Sequence, residues 1–388
     1  MTKAIKVGLV GSAVHAPRVP ERMSLEEALH AVAMAALRDA GIGIDDVDGI
    51  VVASCDQLEG RAISIMMASG SVGGVGRDIT ATPSASEHAF VLGCLRVRSG
   101  MYRTQLVISW SPLESDSVSQ AQRLGADPYF HRRLPLDELS SFALQANALE
   151  AEVPGLREAA IATARKNRQH GFTAYPEYAS APREAALIRD GKVLRWPITD
   201  GMVSPPAFAA VAAVLASDDW IGARAGCKTA WVNGMGWATE TAFLGDRDLA
   251  RLDSLTAAAA QAYREAGVSQ QDPRFDIAEV ADPTPYQELL SLEALGLCPR
   301  DRWVAAAQRG DFAAGGMLPV NLSGGAISFN PVFCNGLMRI VESANQVRGC
   351  AGRHQQAGVR TALAHGASGF AMQYQTVIVL DPDQGNQR

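Results

Sequence analysis

The side chains of this 388-residue chain that could carry chemistry are few and dispersed. Six cysteines (Cys55, Cys94, Cys227, Cys298, Cys334 and Cys350) supply thiols, yet no two stand at CxxC or another metal-ligand spacing. In a chain of this size they read as reduced, cytoplasmic thiols, and no metal is expected. The carboxylates are scattered, which argues against a glycosidase pair and a divalent-cation site. Gly70-Ser-Val-Gly73-Gly74-Val-Gly76 is glycine-rich but lacks the GxGxxG spacing of a dinucleotide turn. Ser84-Ala85-Ser86-Glu87 reads as a capping box in which Ser84 opens a helix. A serine there could also be a nucleophile, with His88 one helical turn on to polarise it. Arg61 and Lys166, the latter beside Asn167, offer cations suited to phosphate.

A frame must hold these groups. Hydrophobic residues at 47% against charged residues at 20% exclude a disordered chain. Thirty-five Lys+Arg against 41 Asp+Glu give a net charge of −6, so no basic excess points to nucleic acid or an anionic membrane. No apolar run reaches the roughly 18–20 residues of a spanning helix, and the N-terminal run has strand length, so a soluble cytoplasmic protein is expected. Ile5–Val10 reads as a buried strand. Ser24-Leu25-Glu26-Glu27 is a capping box, and the helix it opens stops at Gly41 before a strand at 48–54.

That passage recurs. AALRDAG at 35–41 resembles QAYREAG at 261–267, and each is followed by an acidic connector and an apolar strand. The two glycines stand 226 residues apart. The order of helix, glycine and strand predicts an internally duplicated α/β unit. Further on, Leu289–Leu297 and Leu337–Val347 read as helices, Asn321-Leu-Ser-Gly-Gly as a tight loop, and Val359–His365 and Tyr374–Leu380 as buried strands. Between the halves, residues 115–200 are charged and Pro-rich, as an inserted lid or binding segment would be.

Five passages then carry a resemblance. Besides the helix-glycine-strand opening they are TPSASEHAF, ARKNRQHGFTAYPEYAS, YQELLSLEALGLCP, and the pair NLSGGAISFNP with ALAHGASGFA. In this order they resemble the thiolase superfamily, and within it the sterol-carrier-protein-type thiolases and thiolase-like aldolases. The second lies where that family has its ACASG nucleophile elbow. The third is similar to KNHxxGxxNP, the fourth to NELLTYEALGLCP, and the last pair to NPSGG…GHPxGATG and HNxGxGGA. The resemblance implies a five-layer α-β-α-β-α fold from two halves, 1–114 plus 201–245 and 246–388, with a loop domain at 115–200. It also implies a homodimer, a small OB-fold protein with a zinc ribbon as a further partner, and coenzyme A as part of the substrate with no covalently bound cofactor. Asn321, Gly324, Gly325, Gly366 and Gly369 fall in the loop motifs of the resemblance, and with Arg61 and Lys166, read from their charge, they are the expected contacts to the CoA thioester.

The departures fall on the catalytic positions. Ser84 matches the acyl-accepting cysteine, Asn330 the GHP histidine, and Ala281 the histidine of HDCF, with Asp282 next and Tyr286 nearby. His365 matches the histidine this branch keeps on its terminal loop, as a general base. Three readings stay open. A retro-aldol enzyme needs a base, His365 or Tyr286, and oxyanion donors from Asn330 and the 366–369 loop, but no nucleophile. An acyltransferase would use Ser84 or Cys334. A non-catalytic subunit would bind acyl-CoA within a larger complex.

Overall fold

Alternation of apolar side chains along the strands decides how the chain layers. The computed structural model describes residues 4–17, 23–59, 63–83, 85–111, 118–124 and 126–383. Its strands are β1 (Val7–His15), β2 (Gly49–Ala53), β3 (Asp78–Thr82), β4 (Thr104–Ser111), β5 (Val193–Arg195), β6 (Ile198–Thr199), β7 (Ala209–Ser217), β8 (Ala230–Thr239), β9 (Ile277–Glu279), β10 (Ala362–Ser368) and β11 (Tyr374–Asp381). Nine form one sheet in the order β3-β2-β4-β7-β1-β8-β11-β10-β9, while β5 pairs with β6 apart from it.

Outward from the centre, β1, β7, β4 and β2 mirror β8, β11, β10 and β9. That order is the duplication the sequence predicts. Helix Leu25–Asp39 links β1 to β2, and helix Asp253–Ala266 links β8 to β9. Each ends near a glycine in the left-handed region, Gly41 and Gly267, both at φ +70°. The first opens with the expected capping box: Ser24 Oγ accepts the Glu27 N–H at 3.1 Å, and Glu27 accepts the Ser24 N–H at 2.8 Å. The halves join through a short pairing of Gly8 with Trp231 and Leu9 with Ala230. β8 pairs along its length with β11, so residues 230–239 sit with the second half.

β4 shows the layers. Leu106, Ile108 and Trp110 pack with Leu29, Val32 and Ala36 of the outer helix. Val107 turns the other way, into a cluster with Phe90 and Leu337. In the second half, Ala362 and Ala364 join that same central cluster, whereas Leu363 packs with Leu255 and Leu289 outside. Helices Ser86–Arg98 and Asn335–Arg348 therefore lie between two sheet faces, with helices beyond each. The result is the α-β-α-β-α arrangement. Helices Glu138–Glu152 and Leu156–Ala174, from the inserted segment, pack on the outer cluster of the second half. Among the described residues, no helix is long and apolar enough to cross a membrane.

Both outer helices lie very close to the sheet. A β-carbon on Gly11 of β1 would stand 2.5 Å from the Ala36 carbonyl oxygen, and one on Gly236 of β8 would collide with that of Ala258. We expect Gly236→Ala to cost about 1–3 kcal/mol in urea unfolding. Gly222→Ala, where a β-carbon meets open space, should change stability by no more than about 0.5 kcal/mol. Equal effects at the two sites would contradict this account of the packing.

Candidate active site

The loop after β9 is held by buried polar groups. Asn321 sits at φ +53°, a left-handed conformation asparagine tolerates better than most residues. Its Oδ1 accepts the Val280 N–H at 2.7 Å, and its Nδ2 donates to Glu288 at 2.8 Å. Gly324 and Gly325 follow at φ +94° and +62°. A β-carbon on Gly324 would collide with the backbone of Gly171, and one on Gly325 with the carboxyl of Asp282. That carboxyl accepts the N–H groups of Ala326 and Ile327 at 2.7 and 3.3 Å, and Asn167 Nδ2 at 2.8 Å. Burial pushes it up to about 7, against the pull of the Arg339 charge. Lys166, read as a phosphate contact, is spent elsewhere. It lies 2.9 Å from Glu288 and donates to the Val320 carbonyl at 2.8 Å. Arg339, from the central helix, donates to Glu279 and to Ser323 Oγ, each at 2.7 Å. Lys166 and Asn321 thus meet at Glu288, and Gly324 and Gly325 make close approaches to Gly171 and Asp282, so these groups serve the packing of the loop.

His365 departs from expectation. β10 runs on to Ser368, so the histidine stands inside a strand rather than at the head of a loop. Strand alternation sends His365 and Gly366 to opposite faces. The imidazole is fully buried, Nδ1 accepting the Ala281 N–H at 3.4 Å and Nε2 donating to Gln375 Oε1 at 2.8 Å. Burial pushes its pKa down to about 4. With both ring nitrogens engaged, it has the geometry of a neutral core histidine. Tyr286 is likewise buried, its hydroxyl donating to Glu150 at 2.6 Å. Burial and that carboxylate raise its pKa. Cys334 is buried with Sγ 3.6 Å from the Ala209 carbonyl, and burial pushes its thiol far up. Gly369, at φ +79°, lies in the turn before β11.

A second group forms where the two central helices begin. Helix Ser86–Arg98 has Ala85 as its cap residue, with no side-chain capping bond. The capping box read over 84–87 turns on Ser84, which like Arg61 lies outside the described residues. Ser86 Oγ accepts the Leu337 N–H of the facing helix at 3.0 Å. Glu87, 1% exposed, turns to the same junction. A β-carbon on Gly336 would collide with its Oε2, and one on Gly366 would stand 2.8 Å from its Cβ. Burial pushes the carboxyl up to about 7; hydrogen bonds from its own N–H, Ser368 and Ser86 offset part of that. Glu87 Oε1 and Asn335 Oδ1 are buried acceptors with no donor among the described residues. Asn335 Nδ2 donates to Asn330 Oδ1 at 2.8 Å, and Asn330 Nδ2 to the Ser204 carbonyl at 3.3 Å. Ser204 in turn meets Ser180 at 2.8 Å, beside a cleft of about 380 Å³ lined by Arg168, Ser180, Arg183, Asp200 and Pro205.

Residues 236–381 match the thiolase C-terminal domain-like family. Sterol carrier protein 2 of Oryctolagus cuniculus is 31% identical over 52% of this chain and 37% of its own length. The benzoylsuccinyl-CoA thiolase subunit BbsB of Thauera aromatica is 32% identical over 32% of each. The chain therefore covers well under half of these curated relatives. Along the whole chain, the solved Ltp2-ChsH2(DUF35) aldolase superposes with a TM-score of 0.80 at 17% identity, covering 97% of both chains. This is a thiolase fold.

On the thiolase fold, the junction around Glu87 lies in the segment that resembles the ACASG elbow, and Asn330 in the one that resembles GHP. The residues the sequence analysis singled out here are Asn330 and Gly366. Glu87 and Asn335 were missed. A signal existed: Glu87 precedes Phe90, Val91 and Cys94 at spacings of 3, 4 and 7, which puts it on the helix's buried face. Two outcomes test the other assignments. Arg339→Met leaves Glu279 buried without its partner and should cost about 3–5 kcal/mol in chemical unfolding; a loss below 1 kcal/mol would contradict a paired buried charge. His365 is depressed in the folded state, so its contribution is complete above the ordinary histidine range near 6.5 and is lost as pH falls toward 4. A shift of that size corresponds to about 3 kcal/mol. Stability of His365→Gln should fall less steeply than wild type between pH 6.5 and 4; parallel curves would mean that His365 titrates normally.

Proposed function

We propose that this chain is a thiolase-like enzyme that breaks, or in reverse forms, the carbon–carbon bond next to a CoA thioester by a retro-aldol route. The observation that carries this reading is the composition of the junction where the two central helices begin: one buried carboxyl, two amides and, at the cap of the facing helix, a thiol (Cys334) that burial keeps protonated. Acyl transfer needs a nucleophile that ionises readily. Burial pushes Cys94 up to about 12 and Cys298 up to about 11, and carries Cys334 higher still. A retro-aldol step needs instead a base for the β-hydroxyl proton and donors for the enolate oxygen.

A solved neighbour of the same extent is named an aldolase, which supports the reading at the level of the fold. The cleft lined by Arg168, Ser180 and Arg183, linked to Asn330 through Ser204, carries cations suited to the phosphates of an acyl-CoA. We further infer a homodimer in the cytoplasm and a second, smaller protein chain as partner. The aldolase neighbour's name joins two components, and the thiolase relative BbsB is named a subunit.

The test uses the full chain with whatever partner copurifies, incubated with β-hydroxyacyl-CoA thioesters. The expected products are a shorter acyl-CoA and a carbonyl compound in equal amounts. Intact-mass detection of an acyl adduct on Ser84 or Cys334 would refute the route and restore acyl transfer. Binding of the thioesters with no turnover, partner included, would make the chain a non-catalytic subunit.

A further inference from the structure

The carboxyl enclosed by the two central helices has no structural role that accounts for it. A buried carboxyl is ordinarily paired with a cation or given donors at both oxygens. Glu87 takes part in none of the ion pairs found among the described residues, and its Oε1 has no donor. Asn335 Oδ1 is in the same condition, because its Nδ2 is committed to Asn330. Gly336 and Gly366 leave the space that the Glu87 side chain itself fills, since a β-carbon at either would run into it. A buried carboxylate oxygen that lacks a donor calls for a ligand that brings one. A hydroxyl group does so; a thioester oxygen does not.

We propose that Glu87 is the catalytic base of this junction, taking the proton from a substrate β-hydroxyl that donates to its Oε1. The assignment rests on the retro-aldol reading and names its base. The step balances. The O–H proton goes to the Glu87 carboxylate, and the O–H pair becomes the second bond of the new carbonyl. The Cα–Cβ bond breaks, its pair moving into the thioester as an enolate. Protonated Glu87 then returns the proton to Cα, giving the shorter acyl-CoA. No oxidant or co-reactant is required. The groups packed against the carboxyl are glycines and the hydroxyls of Ser86 and Ser368, so gain or loss of the proton breaks no ion pair.

The decisive variant is Glu87→Gln, which keeps the shape and one acceptor oxygen but takes up no proton. In the full chain with its partner, cleavage of β-hydroxybutyryl-CoA to acetaldehyde and acetyl-CoA should fall at least about 100-fold. Calorimetry supplies a second readout: wild type should bind β-hydroxybutyryl-CoA about tenfold or more tighter than butyryl-CoA, and Glu87→Leu, which has no acceptor, should bind the two alike; a preference unchanged in that variant overturns the assignment. If E87Q cleaves as wild type does, Glu87 is not the base, while the retro-aldol reading survives. If wild type with its partner cleaves nothing, the retro-aldol reading fails and Glu87 as its base fails with it. Should E87Q fail to fold, Glu87→Asp keeps the acid but withdraws it by one methylene. Its cleavage rate should drop at least about tenfold; an unchanged rate overturns the assignment.

Discussion

A guanidinium almost sealed from water organises the middle of this molecule. Arg339 is 2% exposed, on the central helix Asn335–Arg348, and it faces Glu279 at the end of β9. Leaving either charge buried alone would be far more costly than removing both. The pair therefore fixes where β9 stops, and through Ser323 it fixes the loop that follows. One helical turn along, Glu342 bonds His354 at 3.0 Å and receives the Tyr175 hydroxyl. Burial works against its charge, yet the His354 and Tyr175 contacts and the Arg339 charge hold the carboxyl below its ordinary range. Tyr175 caps the helix that carries Lys166 and Asn167. The inserted segment is thus tied to the second half through the charges Arg339 gathers.

The thiolase fold has more glycine-rich polar loops than it needs for chemistry, and this chain divides them. Around Asn321, Gly324 and Gly325 the Asp282 carboxyl, Asn321 Oδ1 and Glu288 are met by protein donors or by the Lys166 charge, and the close approaches are to the Gly171 backbone and to Asp282. Such a group stabilises the loop. Around Gly336 and Gly366 the same absence of side chains leaves room for a single carboxyl whose hydrogen bonding is incomplete. Polar groups left unsatisfied in a core cost stability, so their persistence points to something that completes them.

The sequence revealed most where one element decides its own form. The Ser24 cap, the glycine stops at 41 and 267 and the duplicated helix-strand passage are local signals, and the mirrored strand order follows from them. It misled where a neighbour decides. His365 stood next to a glycine-rich run that suggests a loop, but pairing with β11 carries the strand three residues further and sets the side-chain face. Lys166 looked like a free cation because Glu288, which holds it, lies 122 positions away in sequence. Nothing near Ser86 in sequence shows that its Oγ accepts the Leu337 N–H of the facing helix, 251 positions away. A charge at buried-face spacing in an alanine- and glycine-rich helix was the legible clue to Glu87.

Where the two halves face each other, two helix N-termini meet. Ser86–Arg98 and Asn335–Arg348 begin within one hydrogen bond of each other, and each brings the positive end of its dipole to the junction. Burial raises the cost of any negative charge placed there, as the position of the Glu87 carboxyl near 7 reflects. The Glu87 N–H at the helix start and the hydroxyls of Ser368 and Ser86 lower it again. Proton transfer from a β-hydroxyl to Glu87 leaves the total charge unchanged: one negative charge passes from carboxylate to alkoxide and then to enolate. A site that accommodates that charge on the enzyme before the reaction accommodates it on the substrate during it, with no water to reorganise. A thiolate or alkoxide nucleophile would need the same helix ends for its own charge. A helix start that carries a buried carboxyl has given that place to an acid–base group.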